Sequence, residues 1–341
     1  MNHINESLAH VTIKLNDVCN TSCLHCVSHG KSENVFDFEK AQPGLVALLD
    51  HLFAKGIRVY EIAVIGGEIT RIEPSVLEST VTQLIACLDR FRLARSEAQI
   101  SVSIISNFIF SHRSPYLDLL SSFAATPLLD VSIYTSFDRG LGRFKSAAAE
   151  GAWRTNCEAF KGSLRLLVTL NTETVDYLPE IIGGDPFFGR FDTICFQYLR
   201  AIYAKEKLPN ATLSYPRLYS TIQTLRAKAS SGGPQQLLFG DGIKERYHIT
   251  INDDGMVSAS FSEEASLYRD RPHFSIDALP SHLTDLDSMI SSQLFKRIRQ
   301  TRNPTCLTCD EFQGCNFGFE AFDTPCPATR MVPSENGALC S

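Results

Sequence analysis

No stretch of this 341-residue chain approaches the ~20 consecutive apolar residues that a membrane-spanning helix needs. Met1 to His10 is polar and carries no apolar core of a secretory signal, so the expectation is a cytoplasmic protein. There is no long run of like charge, and a formal net charge of -6 gives no electrostatic ground for a nucleic-acid or polyphosphate partner. Internal repeats and low-complexity tracts are missing too, which argues against a solenoid or a disordered array. What remains is a globular composition, 44% hydrophobic and 21% charged, long enough for one large domain and a small appendage.

Against that background the eleven cysteines stand out. In a reducing compartment they are poor candidates for structural disulfides, and their clustering at the two ends of the chain points to metal or redox chemistry. Near the amino terminus, Cys19-Asn20-Thr21-Ser22-Cys23-Leu24-His25-Cys26 places three thiols in one tight run. Three thiolates can hold three corners of an iron-sulfur cubane and leave the fourth iron open to a small molecule. A tetrahedral zinc site, with His25 or His29 as fourth ligand, is the competing reading. Near the carboxyl terminus come Cys306, Cys309, Cys315, Cys326 and Cys340, where a four-cysteine zinc ribbon competes with a second cluster.

Between residue 10 and about residue 200, short apolar runs alternate with helical patterns, the signal of repeated βα units and a parallel sheet. The expected strands are 11–15, 59–65, 100–105, 129–134, 164–170 and 193–199, and the helical patterns between them include 43–55, 74–91, 115–123 and 147–161. Six such strands make a partial (β/α)6 version of the TIM-like barrel, whose chemistry sits at the carboxyl ends of the strands. Residues 205–240 read as a helical excursion or linker ending in Ser230-Ser231-Gly232-Gly233-Pro234. A β-hairpin then follows, Tyr247 to Ile251 and Met256 to Phe261 about the turn Asn252-Asp253-Asp254-Gly255. The division is therefore 1–204, 205–240 and 241–341.

Polar residues mark the expected strand ends. Gly66-Gly67-Glu68 closes the second strand, where two glycines let backbone approach a ligand closely. Ser106-Asn107 closes the third, and Ser136-Phe137-Asp138 the fourth. Each is also ordinary turn chemistry when taken singly. Cys87 reads as a core residue; Cys157 and Cys195 are thiols that can act as hydrogen-atom donors if they face the barrel interior, or small hydrophobic fillers if they do not.

The run C-x3-C-x2-C, followed by G-G-E, S-N and S-F-D at successive strand ends, resembles the radical S-adenosylmethionine (radical SAM) superfamily. The resemblance implies that Cys19, Cys23 and Cys26 ligate a [4Fe-4S] cluster whose open iron is chelated by the methionine moiety of SAM. It implies that His25, Gly66, Gly67, Glu68, Ser106, Asn107, Ser136 and Asp138 surround that cofactor. The tail C-x2-C-x5-C resembles the SPASM or twitch extension, but Phe319 stands where its next cysteine falls and the hairpin has none. That departure implies one auxiliary [4Fe-4S] cluster, held by Cys306, Cys309 and Cys315 with Cys340 or Cys326. Such enzymes commonly modify ribosomally made peptides by crosslinking, epimerisation or oxidation, with a flavodoxin or ferredoxin-type electron donor and recognition of a leader peptide. A dehydrogenase of a small sugar or amino-alcohol is the second enzyme reading, and a non-catalytic iron-sulfur electron-transfer protein the reading from another class. Only ten residues precede the first strand here, so a separate leader-recognition protein is one expectation.

Overall fold

The computed structural model describes residues 8–24, 26, 33–111, 114–198, 217, 220–221, 224–225, 227–228, 236–239, 247–260 and 274–289. Their backbone forms one sheet of ten strands. In chain order these are β1 (Leu8–Lys14), β2 (Val59–Ile65), β3 (Gln99–Ile105), β4 (Asp130–Phe137), β5 (Leu164–Leu170), β6 (Thr193–Tyr198), β7 (Gln236–Phe239), β8 (Tyr247–Ile251), β9 (Met256–Ser260) and β10 (Phe274–Ser275). Helices α1 (Phe38–Ala54), α2 (Pro74–Ala94), α3 (Tyr116–Ala124), α4 (Ala147–Ala159) and the short α5 (Thr172–Asp176) connect the parallel strands.

The sheet runs β10-β9-β8-β1-β2-β3-β4-β5-β6-β7, with β1 to β7 parallel to their neighbours in sequence order. This is the partial TIM-like barrel the sequence pattern predicts, and β2 and β5 begin and end at the expected residues. Alternation decides the two faces. Val11, Ile13, Ile62, Val64, Ile104, Ile133, Leu166, Ile194 and Phe196 join the helices' apolar residues in one core. Trp153 of α4 is fully buried there; its indole N–H donates to the Thr135 hydroxyl at 3.0 Å, and its ring meets Phe137, Phe144, Phe187 and Phe191. The opposite, concave face carries most of the polar strand residues, His10, Thr12 and Lys14 on β1, Glu61 on β2, Tyr134 and Ser136 on β4 and Arg165 on β5, with Cys195 on β6 and a few apolar residues such as Ala63 and Leu167 among them.

Three features depart from the sequence reading. Helix α1 begins at Phe38 rather than Pro43, because Asp37 caps it through the Lys40 N–H and buried Phe38 and Ala41 extend its apolar stripe; Pro43 lies inside it. A seventh parallel strand, β7, follows the breaker run at 230–234 within the stretch read as helical excursion or linker. The hairpin β8–β9 forms as expected, but it extends the barrel sheet, since β8 pairs in parallel with β1 from Ala9↔Tyr247 to Ile13↔Ile251. Helix α1 is sealed against the segment after β10 at Gly44, where a Cβ would lie 2.0 Å from the Ile276 carbonyl oxygen.

Candidate active site

Strand β1 ends in a buried charge cluster that the sequence reading missed. Lys14 donates to Asp17 at 2.5 Å and lies 3.9 Å from Asp253 in the β8–β9 turn. A lysine is placed at this depth only with carboxylates beside it. The cluster fixes the chain just before the cysteine loop and ties the hairpin to the same rim.

Gly66 and Gly67 belong to this construction. A Cβ on Gly66 would stand 2.1 Å from the Asn16 Oδ1, and one on Gly67 would stand 2.4 Å and 2.5 Å from the carbonyl oxygens of Asp17 and Val18. The Gly67 N–H donates to the Asn16 carbonyl at 2.9 Å and the Glu68 N–H to the Val18 carbonyl at 2.8 Å. The Asn16 amide returns a bond to the Glu68 carbonyl at 3.0 Å. The two glycines thus let the end of β2 close on the backbone that leads into Cys19.

Glu68 is 2% exposed, and its carboxylate accepts from four donors: the Thr70 N–H and hydroxyl, the Ser106 hydroxyl at 2.7 Å and the Asn107 N–H at 2.6 Å. Burial pushes its pKa up, and those bonds oppose the rise. The side chain is a bracket between the ends of β2 and β3. Asn107 carries the bracket to the cysteine loop, its amide donating to the Asn20 Oδ1 at 2.6 Å. The next residue, Phe108, adopts a left-handed φ of 56°, rare for an aromatic, and is held by the Asn156 amide on its carbonyl at 2.9 Å.

In the loop itself the Cys19 sulfur lies 3.1 Å and the Cys23 sulfur 3.5 Å from one hydroxyl, that of Thr21. The Thr21 N–H also points at the Cys19 sulfur, at 3.4 Å, and the Cys26 N–H bonds the Cys23 carbonyl. All three thiols are partly exposed. Burial raises the Cys23 pKa, and the Arg143 guanidinium opposes that rise. Among the described residues no three His, Cys, Asp or Glu side chains converge on one metal ion. A cubane takes its three thiolates on three separate irons, so three partly exposed thiols in one short loop, two of them grouped about the Thr21 hydroxyl, suit that group.

Ser136 lies on the concave face at the end of β4, and Asp138, 1% exposed, accepts from the Arg143 Nε at 2.6 Å. Cys195 faces the same concavity as Arg165, whose guanidinium donates to the Tyr134 hydroxyl at 2.8 Å. Burial pushes the Cys195 thiol up to about 11, so it stays protonated at neutral pH. Cys157 corrects the expectation: on α4, one turn from Trp153, it is fully buried in the core on the helix side of the sheet. A thiol there cannot reach a substrate in the concavity. Cys87 packs in the core on α2 as expected.

His25 and the tail cysteines Cys306, Cys309, Cys315, Cys326 and Cys340 lie outside the described residues. Sequence reasoning missed Asn16, Asn20, Thr21 and Arg143. Asn20 and Thr21 were legible only as spacers between cysteines, and Asn16 and Arg143 carried no motif.

No protein-family model matches the chain, and no curated protein matches its sequence. Solved structures match its fold. A structure of native anSMEcpe with bound AdoMet and the Kp18Cys peptide aligns over 91% of this chain and 89% of its own, at 14% identity and a TM-score of 0.65. Streptococcus suis SuiB bound to the precursor peptide SuiA aligns over 92% of this chain and 72% of its own, at 11% identity and a TM-score of 0.60. The same protein bound to S-adenosylmethionine aligns with a TM-score of 0.60 as well. The chain therefore has the fold of these structures, the partial parallel barrel of the radical SAM enzymes.

Proposed function

We propose that this chain is a radical SAM enzyme acting on a ribosomally made peptide, with oxidative crosslinking or a related maturation as the reaction. One observation carries the reading: Cys19, Cys23 and Cys26 share a rim with the ends of β2 and β3, welded to them through Gly67, Glu68, Asn107 and Asn20. The peptide class is supported by the fold shared with SuiB and anSMEcpe, both of which have been seen with peptides bound.

In this reading Cys19, Cys23 and Cys26 hold a [4Fe-4S] cluster, and Gly66, Gly67, Ser136 and the neighbouring rim backbone line the SAM pocket. Together these would supply one-electron cleavage of SAM to methionine and a 5'-deoxyadenosyl radical, the species that takes a hydrogen atom from an unactivated carbon. The protein's part is positioning and exclusion of water. Lys14, Asp17 and Asn16 hold the root of the cysteine loop, and Glu68 fixes the adjoining strand ends. Cys306, Cys309 and Cys315, with Cys340 or Cys326, would hold an auxiliary cluster, which would supply an acceptor for the electron that an oxidative outcome releases. A flavodoxin or ferredoxin-type donor supplies reducing power, and a separate protein recognises the leader.

A second reading has its own observation, the protonated Cys195 thiol on the concave face. A thiol in that state can return a hydrogen atom to a substrate carbon radical, leaving a thiyl radical and giving a redox-neutral epimerisation.

Anaerobic reconstitution tests the principal reading. Wild-type protein is expected to bind about eight irons per chain, two cubanes. Replacing Cys19, Cys23 and Cys26 together by Ala is expected to remove one cluster and all reductive SAM cleavage; cleavage that survives overturns the proposal. Zinc in the tail of protein purified without air would replace the auxiliary cluster with a ribbon. Incubating the reduced enzyme with a short peptide encoded beside it, read by mass spectrometry, tests the substrate class.

A further inference from the structure

The loop between β4 and α4 is fastened to the cysteine loop at every turn. The Leu141 carbonyl accepts from the Leu24 N–H at 2.8 Å. Gly142, with φ +79°, passes so close that a Cβ would lie 2.9 Å from the Ser22 carbonyl oxygen. The Lys145 ammonium reaches the Asn20 carbonyl at 3.4 Å. The far side is pinned as well: the Asn171 amide donates to the Arg139 carbonyl at 3.0 Å, and Gly140, with φ +72°, packs against Glu173. A segment held on both sides gives its ion-paired cation little freedom. That cation is Arg143, whose side chain is 12% exposed and bonded to Asp138 at 2.6 Å. It sits one residue beyond Gly142, as Cys23 sits one residue beyond Ser22.

We propose that Arg143, clamped by Asp138, is a positioning residue whose fixed positive charge raises the reduction potential of the cluster held by Cys19, Cys23 and Cys26. The inference rests on the reading of those cysteines as cluster ligands. A thiolate-ligated cubane gains negative charge on reduction, and nearby charge is one of the main settings of its potential. In a site partly withdrawn from water that influence is weakly screened. The contacts at Leu141, Gly142 and Lys145 set this ion pair beside the cysteine loop, with the guanidinium within electrostatic reach of Cys23 and Cys26 as well as of Asp138.

The test is an EPR-monitored redox titration of full-length, anaerobically reconstituted protein without SAM, following the cluster signal that disappears when Cys19, Cys23 and Cys26 are replaced by Ala. Arg143→Gln is expected to make that cluster harder to reduce, by about tenfold in the ratio of reduced to oxidised form at a fixed potential, or about 59 mV for one electron. Asp138→Asn is expected to shift the potential the opposite way, and Arg143→Lys to stay near wild type. An unchanged potential in Arg143→Gln, or shifts of the same direction in Arg143→Gln and Asp138→Asn, overturns the proposal, because loss of packing alone has no reason to change sign. If Arg143→Gln takes up no iron, Asp138→Asn decides alone: a more positive potential supports the inference and an unchanged or more negative one refutes it. Wild-type protein that binds no cluster through the three cysteines refutes the underlying functional reading instead.

Discussion

The backbone N–H of Asn107 donates to the Glu68 carboxylate at 2.6 Å, joining the carboxyl ends of β3 and β2 beneath the cysteine loop. Replacing Glu68 by Ala leaves four buried donors without their acceptor. The expected cost is about 2–4 kcal/mol of stability, with loss of iron uptake. Glu68→Gln is expected to cost nearly as much, because the amide brings a donor to face donors. Chemical denaturation and iron content measure both.

Gly67→Ala is expected to impair cluster binding more than Gly66→Ala does. At Gly67 the new methyl meets two backbone oxygens of the cysteine-bearing segment, whereas at Gly66 it meets the Asn16 side chain, which can turn aside at the expense of its bond to the Glu68 carbonyl. Overpacking of this kind typically costs about 1–3 kcal/mol. Iron per chain after reconstitution, compared between soluble variants, checks the order; equal loss in both contradicts it.

Replacing Lys14 by Met leaves buried Asp17 and Asp253 without the ammonium that both approach. The expected loss is about 3–5 kcal/mol, the usual result of removing one member of a buried ionic group. Asp253→Asn is expected to cost less, since the 2.5 Å Lys14–Asp17 bond survives. Urea denaturation of the two variants tests the ranking.

Cys195 is expected to resist alkylation at pH 8, where with a pKa of about 11 only about one thiol in a thousand is thiolate. Its labelling by iodoacetamide, mapped by mass spectrometry, should climb tenfold per pH unit toward pH 11. The linked effect on stability has a definite sign. The folded value lies above the ordinary thiol value of 9.0, so the folded chain holds this proton where the unfolded chain has lost it. Stability is therefore undiminished below about pH 9 and declines as pH rises toward 11. If product formation fails in Cys195→Ala while SAM cleavage persists, and wild-type product gains one carbon-bound deuterium in heavy water, the hydrogen-return reading displaces the oxidative one.

The parallel strands were legible because alternation and continuous apolar runs are local, and β2 and β5 fall where the pattern puts them. The start of α1 was not, because a proline inside a helix looks like its beginning until the Asp37 cap is seen. The cysteine loop, the glycines and the strand-end polar residues were legible as a set, but their partners were not. Nothing in the spacing says that Glu68 turns to Asn107, or that Arg143 is drawn to Asp138, because those contacts are made across strands by residues without a pattern. Which of the two readings of Cys157 holds was not legible for the same reason: a thiol's position along the chain does not reveal on which side of the sheet it lies, and the structure buries it in the core.

The pairing of β8 with β1 has a consequence for biosynthesis. The Thr12 hydroxyl meets the His248 ring across a sequence separation of 236 residues. Loop closure over that distance is slow and waits for the later segment to be made. While the ribosome is still short of residue 251, β1 has a neighbour on one side only, and the segment carrying Cys19 hangs from an edge strand. Metal delivery that acts on a finished floor must therefore follow translation of about the first three quarters of the chain, and a nascent chain arrested before β8 is expected to be a poor acceptor for iron and sulfide.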